Sequence, residues 1–93
     1  MDLGIKGKRA IVMGASKGVG YASALALAAE GVSVSVSGSN LERAQAAAKK
    51  ITDETGTRAA GFAGDVTNSD NMNTLYEASK DALGGPIDIL FNN

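Results

Sequence analysis

The chain has no cysteine and no histidine. The first absence excludes a disulfide framework and a thiolate metal site. The second removes imidazole from any catalytic scheme built on these residues. Charge of one sign is also missing: nine basic residues stand against ten acidic ones. Nothing in that balance forms a nucleic-acid patch or a polybasic membrane tether. No apolar run approaches the length of a membrane span, and the start, Met1-Asp2-Leu3-Gly4-Ile5-Lys6, lacks the apolar core of a signal peptide. A cytoplasmic globular chain is the expectation. Its 93 residues suffice for one small domain.

What is abundant is glycine and alanine, arranged with a purpose. The apolar run Arg9-Ala10-Ile11-Val12 leads into Met13-Gly14-Ala15-Ser16-Lys17-Gly18-Val19-Gly20 and then an alanine-rich helical pattern. A strand, a tight glycine turn and a helix start in that order leave free N–H groups and the positive end of a helix dipole facing outward. Such an arrangement favours an anion, a nucleotide's phosphates above all. Gly14 serves the turn, Gly18 lets the backbone approach a ligand, and Gly20 lets the helix lie close on the strand.

Strand and helix alternate along the rest. The spacing predicts a strand over Ala10 to Met13 and a helix over Gly18 to Glu30 stopped by Gly31. Val32 to Ser37 alternates valine with serine. It reads as an interior strand with one apolar face and one face of small hydroxyls, whose serines make local hydrogen bonds. Asn40 is placed to cap a second helix, closed by Gly56, with Leu41, Ala44, Ala48 and Ile51 on one stripe. A third strand spans Ala59 to Ala63. Asn68 or Ser69 caps a third helix with the stripe Met72, Leu75, Ser79 and Ala82 or Leu83, ended by Gly84-Gly85-Pro86. Ile87 to Phe91 forms a fourth strand. The result is an α/β fold: a Rossmann-like parallel sheet of four strands and three helices (β-α-β-α-β-α-β), an incomplete doubly wound arrangement. Strand order 3-2-1-4 is expected, with the glycine loop near the switch point. The fourth strand leaves an open apolar edge.

Three motifs in register now carry a resemblance. Gly14-Ala15-Ser16-Lys17-Gly18-Val19-Gly20 resembles the Gly-x-x-x-Gly-x-Gly loop of classical short-chain dehydrogenases/reductases. Asp65-Val66 is similar to that family's acidic-aliphatic pair, and Ile87-Asp88-Ile89-Leu90-Phe91-Asn92-Asn93 to its fourth strand and the first half of Asn-Asn-Ala-Gly. The likeness runs from about Gly7 to Asn93. It implies that residues 1–93 are the N-terminal dinucleotide-binding part of a Rossmann domain. Ser16, Lys17 and Val19 would lie along the pyrophosphate and ribose, Asp65 and Val66 against the adenine, and Asn93 at the nicotinamide ribose through its backbone. Asn92 would tie strands together.

In NAD-selective members an acid ends the second strand. This chain has Ser37-Gly38-Ser39-Asn40 there. With Lys17 as a nearby cation and the Ser39 hydroxyl as a donor, NADP(H) is the expected cofactor and NAD the alternative. The implied parent is an oxidoreductase moving a hydride between that cofactor and a small carbonyl or alcohol substrate, working as a homo-oligomer. Two departures stand out. Met13 replaces the family's threonine, which implies a more loosely held turn. The family's catalytic serine, its tyrosine-lysine pair and a further asparagine follow its fourth strand, so the segment alone is expected to be inactive. Tyr76-Glu77-Ala78-Ser79-Lys80 matches the Tyr-x-x-x-Lys spacing but precedes the Asn-Asn pair, and is expected to be an ordinary amphipathic helix face. A non-catalytic nucleotide-binding or oligomerisation module, using the open fourth strand, is the alternative function. An S-adenosylmethionine-dependent methyltransferase fits Asn92-Asn93 poorly, and a P-loop ATPase lacks its Gly-Lys-Ser/Thr.

Overall fold

The computed structural model describes residues 5–14, 18–64 and 69–92. Its elements are β1 (Arg9–Met13), α1 (Gly18–Ala29), β2 (Ser33–Gly38), α2 (Leu41–Thr55), β3 (Ala59–Ala63), α3 (Ser69–Leu83) and β4 (Ile89–Asn92). All pairings are parallel, and the sheet order is β3-β2-β1-β4. This is the expected Rossmann-like order, with β1 at the centre of the reversal.

Each strand splits its side chains between two layers, because successive Cβ atoms point to opposite faces. Ala10, Val12, Val34 and Val36 face one way, into a core completed by Ala24 and Ala28 of α1 and Ala47, Ala48 and Ile51 of α2. Ile11 and Met13 face the other way, toward Leu75 of α3, with Phe62, Met72 and Ile87 at the margin. The small side chains of α1 and α2 let both helices settle close on the sheet. The closest approach is at Gly61 of β3, where a Cβ would collide with the backbone of Ala44 and Gln45. Asn40 caps α2, its Oδ1 accepting from the Arg43 N–H at 2.9 Å, and the Gly56 N–H donates to the Thr52 carbonyl at the other end.

Three local expectations need correction. β4 starts at Ile89, not Ile87. Pro86 has no N–H, and Asp88 spends its groups on β1: its N–H donates to the Arg9 carbonyl at 2.8 Å, and its Oδ2 accepts from the Arg9 N–H at 3.1 Å. β2 is shifted by one residue, to Ser33–Gly38, because the Val32 N–H turns back to the Leu27 carbonyl. On its hydroxyl face, Ser35 bonds to another layer and not locally. Ser35 and Ser79 are both fully buried, and their Oγ atoms lie 2.6 Å apart, linking β2 to α3 across 44 residues.

The far end of α3 is anchored by Arg9. Its Nε donates to the Leu83 carbonyl at 3.0 Å, and a terminal nitrogen reaches the Gly84 carbonyl at 3.4 Å. These are carbonyls that a helix C-terminus leaves without partners, and a cation suits the negative end of the dipole.

Candidate dinucleotide site

The parallel register brings the strand ends to one edge of the sheet. Met13 stands beside Ser37 on one side and Asn92 on the other, and Gly38 beside Ala63. The chain segments that follow β1, β2 and β3 therefore emerge together. The Gly64 N–H donates to the Gly38 carbonyl at 3.1 Å, which draws the β3 exit toward the β2 exit. α1 and α2 cover one face of the sheet and α3 the other, and in open α/β sheets of this kind ligands are held at this edge.

Gly14, directly after β1, has φ 69°, and Gly18, at the start of α1, has φ 70°. An L side chain in that left-handed region is strained by roughly 1–2 kcal/mol, so both positions favour glycine. Both are exposed. A Cβ at Gly18 would meet nothing within 4 Å, so open space lies in front of this backbone. Gly20 is buried, on the sheet side of α1. Val19 is 68% exposed at the helix start. The helix start at Gly18 and Val19 is thus exposed, and a helix N-terminus so placed suits a phosphate group.

At the end of β2, Ser39 and Asn40 are exposed. The Asn40 carbonyl oxygen is committed to its cap, which leaves the Ser39 hydroxyl and the first amides of α2 at the edge. No carboxylate occurs from Ser37 to Asn40. Ser16, Lys17, Asp65, Val66 and Asn93 lie outside the described residues. Met13 is buried against Ile11 and Leu75. Where a threonine would tie the turn by a hydroxyl bond, apolar packing holds its base. Arg43, which no motif marks, also belongs to this edge, in the first turn of α2.

Tyr76 lies at the middle of α3 and Lys80 in its last turn. Tyr76 borders an apolar cleft beside β4, formed with Ile11, Met72 and residues 87–90. Lys80 pairs with Glu77 at 3.2 Å in an exposed contact. Among the described residues, no group of three acidic, cysteine or histidine side chains is placed to hold a metal, and no helix is long and apolar enough to cross a membrane.

Known proteins share this sequence and geometry. The short chain dehydrogenase family model matches residues 8–93. A 3-oxoacyl-acyl-carrier-protein reductase of Aquifex aeolicus is 34% identical over 93 residues, which cover 100% of this chain and 37% of that protein. The structure of L-sorbose reductase from Gluconobacter frateurii, complexed with NADPH and L-sorbose, superposes with a TM-score of 0.90 at 34% identity, covering 100% of this chain and 35% of that one. A hydroxysteroid dehydrogenase from Escherichia coli superposes at 0.87 and 34% identity, covering 96% and 37%. The chain thus spans about a third of the length of these relatives. With a family match over residues 8–93 and superpositions that cover nearly the whole chain, the chain belongs to the short-chain dehydrogenases, a family of NAD(P)-dependent oxidoreductases.

Proposed function

We propose that these 93 residues are the cofactor-holding N-terminal part of an NADP(H)-dependent short-chain dehydrogenase/reductase. The observation that carries this reading is the pair Gly14 and Gly18, left-handed and exposed, at the mouth of α1. In this reading the α1 amides and Val19 take the pyrophosphate, while Ser16 and Lys17 lie along it. Ser39 and Lys17 receive the ribose 2′-phosphate, Asp65 and Val66 border the adenine, and the Asn93 backbone meets the nicotinamide ribose. When bound, the dinucleotide supplies the hydride donor or acceptor for a small carbonyl or alcohol substrate. The segment's own residues bind and orient it, and the absence of an acid after β2 removes the charge that would repel a 2′-phosphate. In this reading residues 1–93 supply neither the proton donor nor the substrate pocket, and the segment by itself does not turn over.

Titration with NADPH and NADH, followed by nicotinamide fluorescence, tests the binding half. NADPH is expected to bind the more tightly; no binding of either would remove the reading. A turnover assay with NADPH and a panel of carbonyl compounds tests the rest, and clear activity would show that the segment is itself a catalyst.

One feature favours a second reading. Leu90 is 57% and Phe91 37% exposed on β4, and among the described residues β4 pairs only with β1. An open edge with apolar residues on both faces suits self-association. A stable oligomer by sizing, with no NADPH binding, would favour an interaction module over a cofactor site.

A further inference from the structure

The sheet order β3-β2-β1-β4 makes β4 an outer strand. Ile89–Asn92 contains no charge and no proline, the residues that ordinarily keep such an edge from pairing. Its side chains are apolar on both faces. Ile89 packs toward the α1 and α2 layer, and Phe91, beside Val12, points the same way. Leu90, beside Ile11, points toward the α3 layer. There it walls a cleft of about 160 Å³, lined by Ile11, Met72, Tyr76 and residues 87–90. Leu90 and Phe91 are both exposed.

A second copy of the chain fits this edge, and the two faces fix how. Strands joined edge to edge about a two-fold axis normal to the sheet run antiparallel, and each copy keeps its α3 layer on the same side. Residues directly opposite each other in such a pair point to one face. Leu90 opposite Phe91 of the second copy would set an α3-face residue against an α1-face residue, so that register is excluded. The pairing must centre on a residue, and centring on Leu90 uses the whole strand. Leu90 then meets Leu90 of the second copy, and Ile89 meets Phe91 twice. Asp88 falls opposite position 92, where the sequence has asparagine, and not opposite the second Asp88. Leu90 of the second copy extends the outer wall of the cleft, and the contact is reciprocal. An isologous contact of this kind closes at two copies, whereas joining β4 to the other outer strand, β3, would be head-to-tail and open-ended.

We infer that two copies of this chain join through β4, antiparallel and centred on Leu90, into one continuous sheet. The inference rests on the self-association reading above, to which it adds the partner, the register and the contact. A strand of 4 residues on each side buries less than the roughly 800 Å² per partner of a standard interface. The dimer is therefore weak and depends on concentration.

The chain has no cysteine, so single introduced cysteines report the register under mild oxidation. Opposed residues have Cα atoms about 4.5–5.5 Å apart, within disulfide reach, while diagonal neighbours are about 7–8 Å apart and beyond it. Leu90→Cys is expected to form a covalent dimer by itself. Ile89→Cys and Phe91→Cys are each expected to stay single alone and to cross-link when mixed. Cross-linking at equal rates in all of these samples, or in none, overturns the inference. Sedimentation equilibrium of the unsubstituted chain and of Leu90→Lys gives an independent reading. A monomer–dimer equilibrium is expected in the first and monomer alone in the second, where like charges would stand opposite each other. An oligomer that survives Leu90→Lys overturns the inference and leaves self-association standing. A monomer at every concentration of the unsubstituted chain removes both.

Discussion

The Ser35–Ser79 pair gives the sharpest test of how the layers are joined. Both side chains are fully buried, and their Oγ atoms are 2.6 Å apart. Ser79→Ala leaves the Ser35 hydroxyl in the interior without its partner, at a cost of about 1–3 kcal/mol. Alanine recovers about 0.5 kcal/mol of helix propensity in α3, so the net loss is roughly 0.5–2.5 kcal/mol. For 93 residues, an unfolding entropy near 0.2 kcal/mol/K turns that into a Tm lower by about 3–12 °C. Ser35→Ala is the gentler change, because a helical serine can turn its hydroxyl to the carbonyl four residues back, here Leu75. An interior strand offers Ser35 no such escape, since its neighbours' backbone groups are engaged in the ladders. The decisive variant is the double one. Adding Ser35→Ala to the Ser79→Ala chain removes the stranded hydroxyl and should raise stability, although the same change lowers it in the unsubstituted chain. Urea unfolding of the four proteins reads this as a reversal of sign. If Ser35→Ala destabilises both backgrounds equally, the hydroxyl pair does not couple β2 to α3 and the reasoning is wrong.

Other perturbations address the site and its frame. Gly18→Ala should lower stability by only about 1–2 kcal/mol, the strain of a left-handed residue, since its Cβ meets nothing within 4 Å; its effect on NADPH affinity should exceed that, and equal losses in melting and titration would count against a ligand at this surface. Ser39→Asp should shift cofactor preference from NADPH toward NADH, because a carboxylate repels a 2′-phosphate and accepts from a 2′-hydroxyl; an unchanged ratio of dissociation constants would place the adenosine ribose elsewhere. Arg9→Met should cost about 1–2 kcal/mol by freeing the Leu83 and Gly84 carbonyls, with faster amide exchange at the C-terminal turn of α3. Exchange unaffected there would mean that the guanidinium contacts carry no stability.

Most of the fold could be read from local pattern, and the reason is physical. Alternation in β2, the Ala44-Ala48-Ile51 stripe in α2 and the glycines after strands each act within a few residues, and parallel crossovers then leave one handed route for the chain. The left-handed turns at Gly14 and Gly18 were legible for the same reason. The contacts across layers were not. Ser79 finds Ser35 from 44 residues away, and Arg9 reaches Leu83 across 74; nothing in the spacing of either residue names its partner. The start of β4 escaped notice because Asp88 looks like part of an apolar run until its carboxylate is seen on the Arg9 N–H.

The missing side chain at Gly61 has an effect at a distance. Because Ala44 and Gln45 rest their backbone directly on β3 there, the first turns of α2 have a hard seat with no cushion of side chain beneath. Any larger residue at position 61 would jack up that end of the helix and carry Ser39, Asn40 and Arg43 with it. On the NADP(H) reading proposed above, a substitution two strands away from the glycine loop would then register as altered nucleotide selectivity. Variation at Gly61 is thus expected to tune the choice of coenzyme by altitude rather than by chemistry.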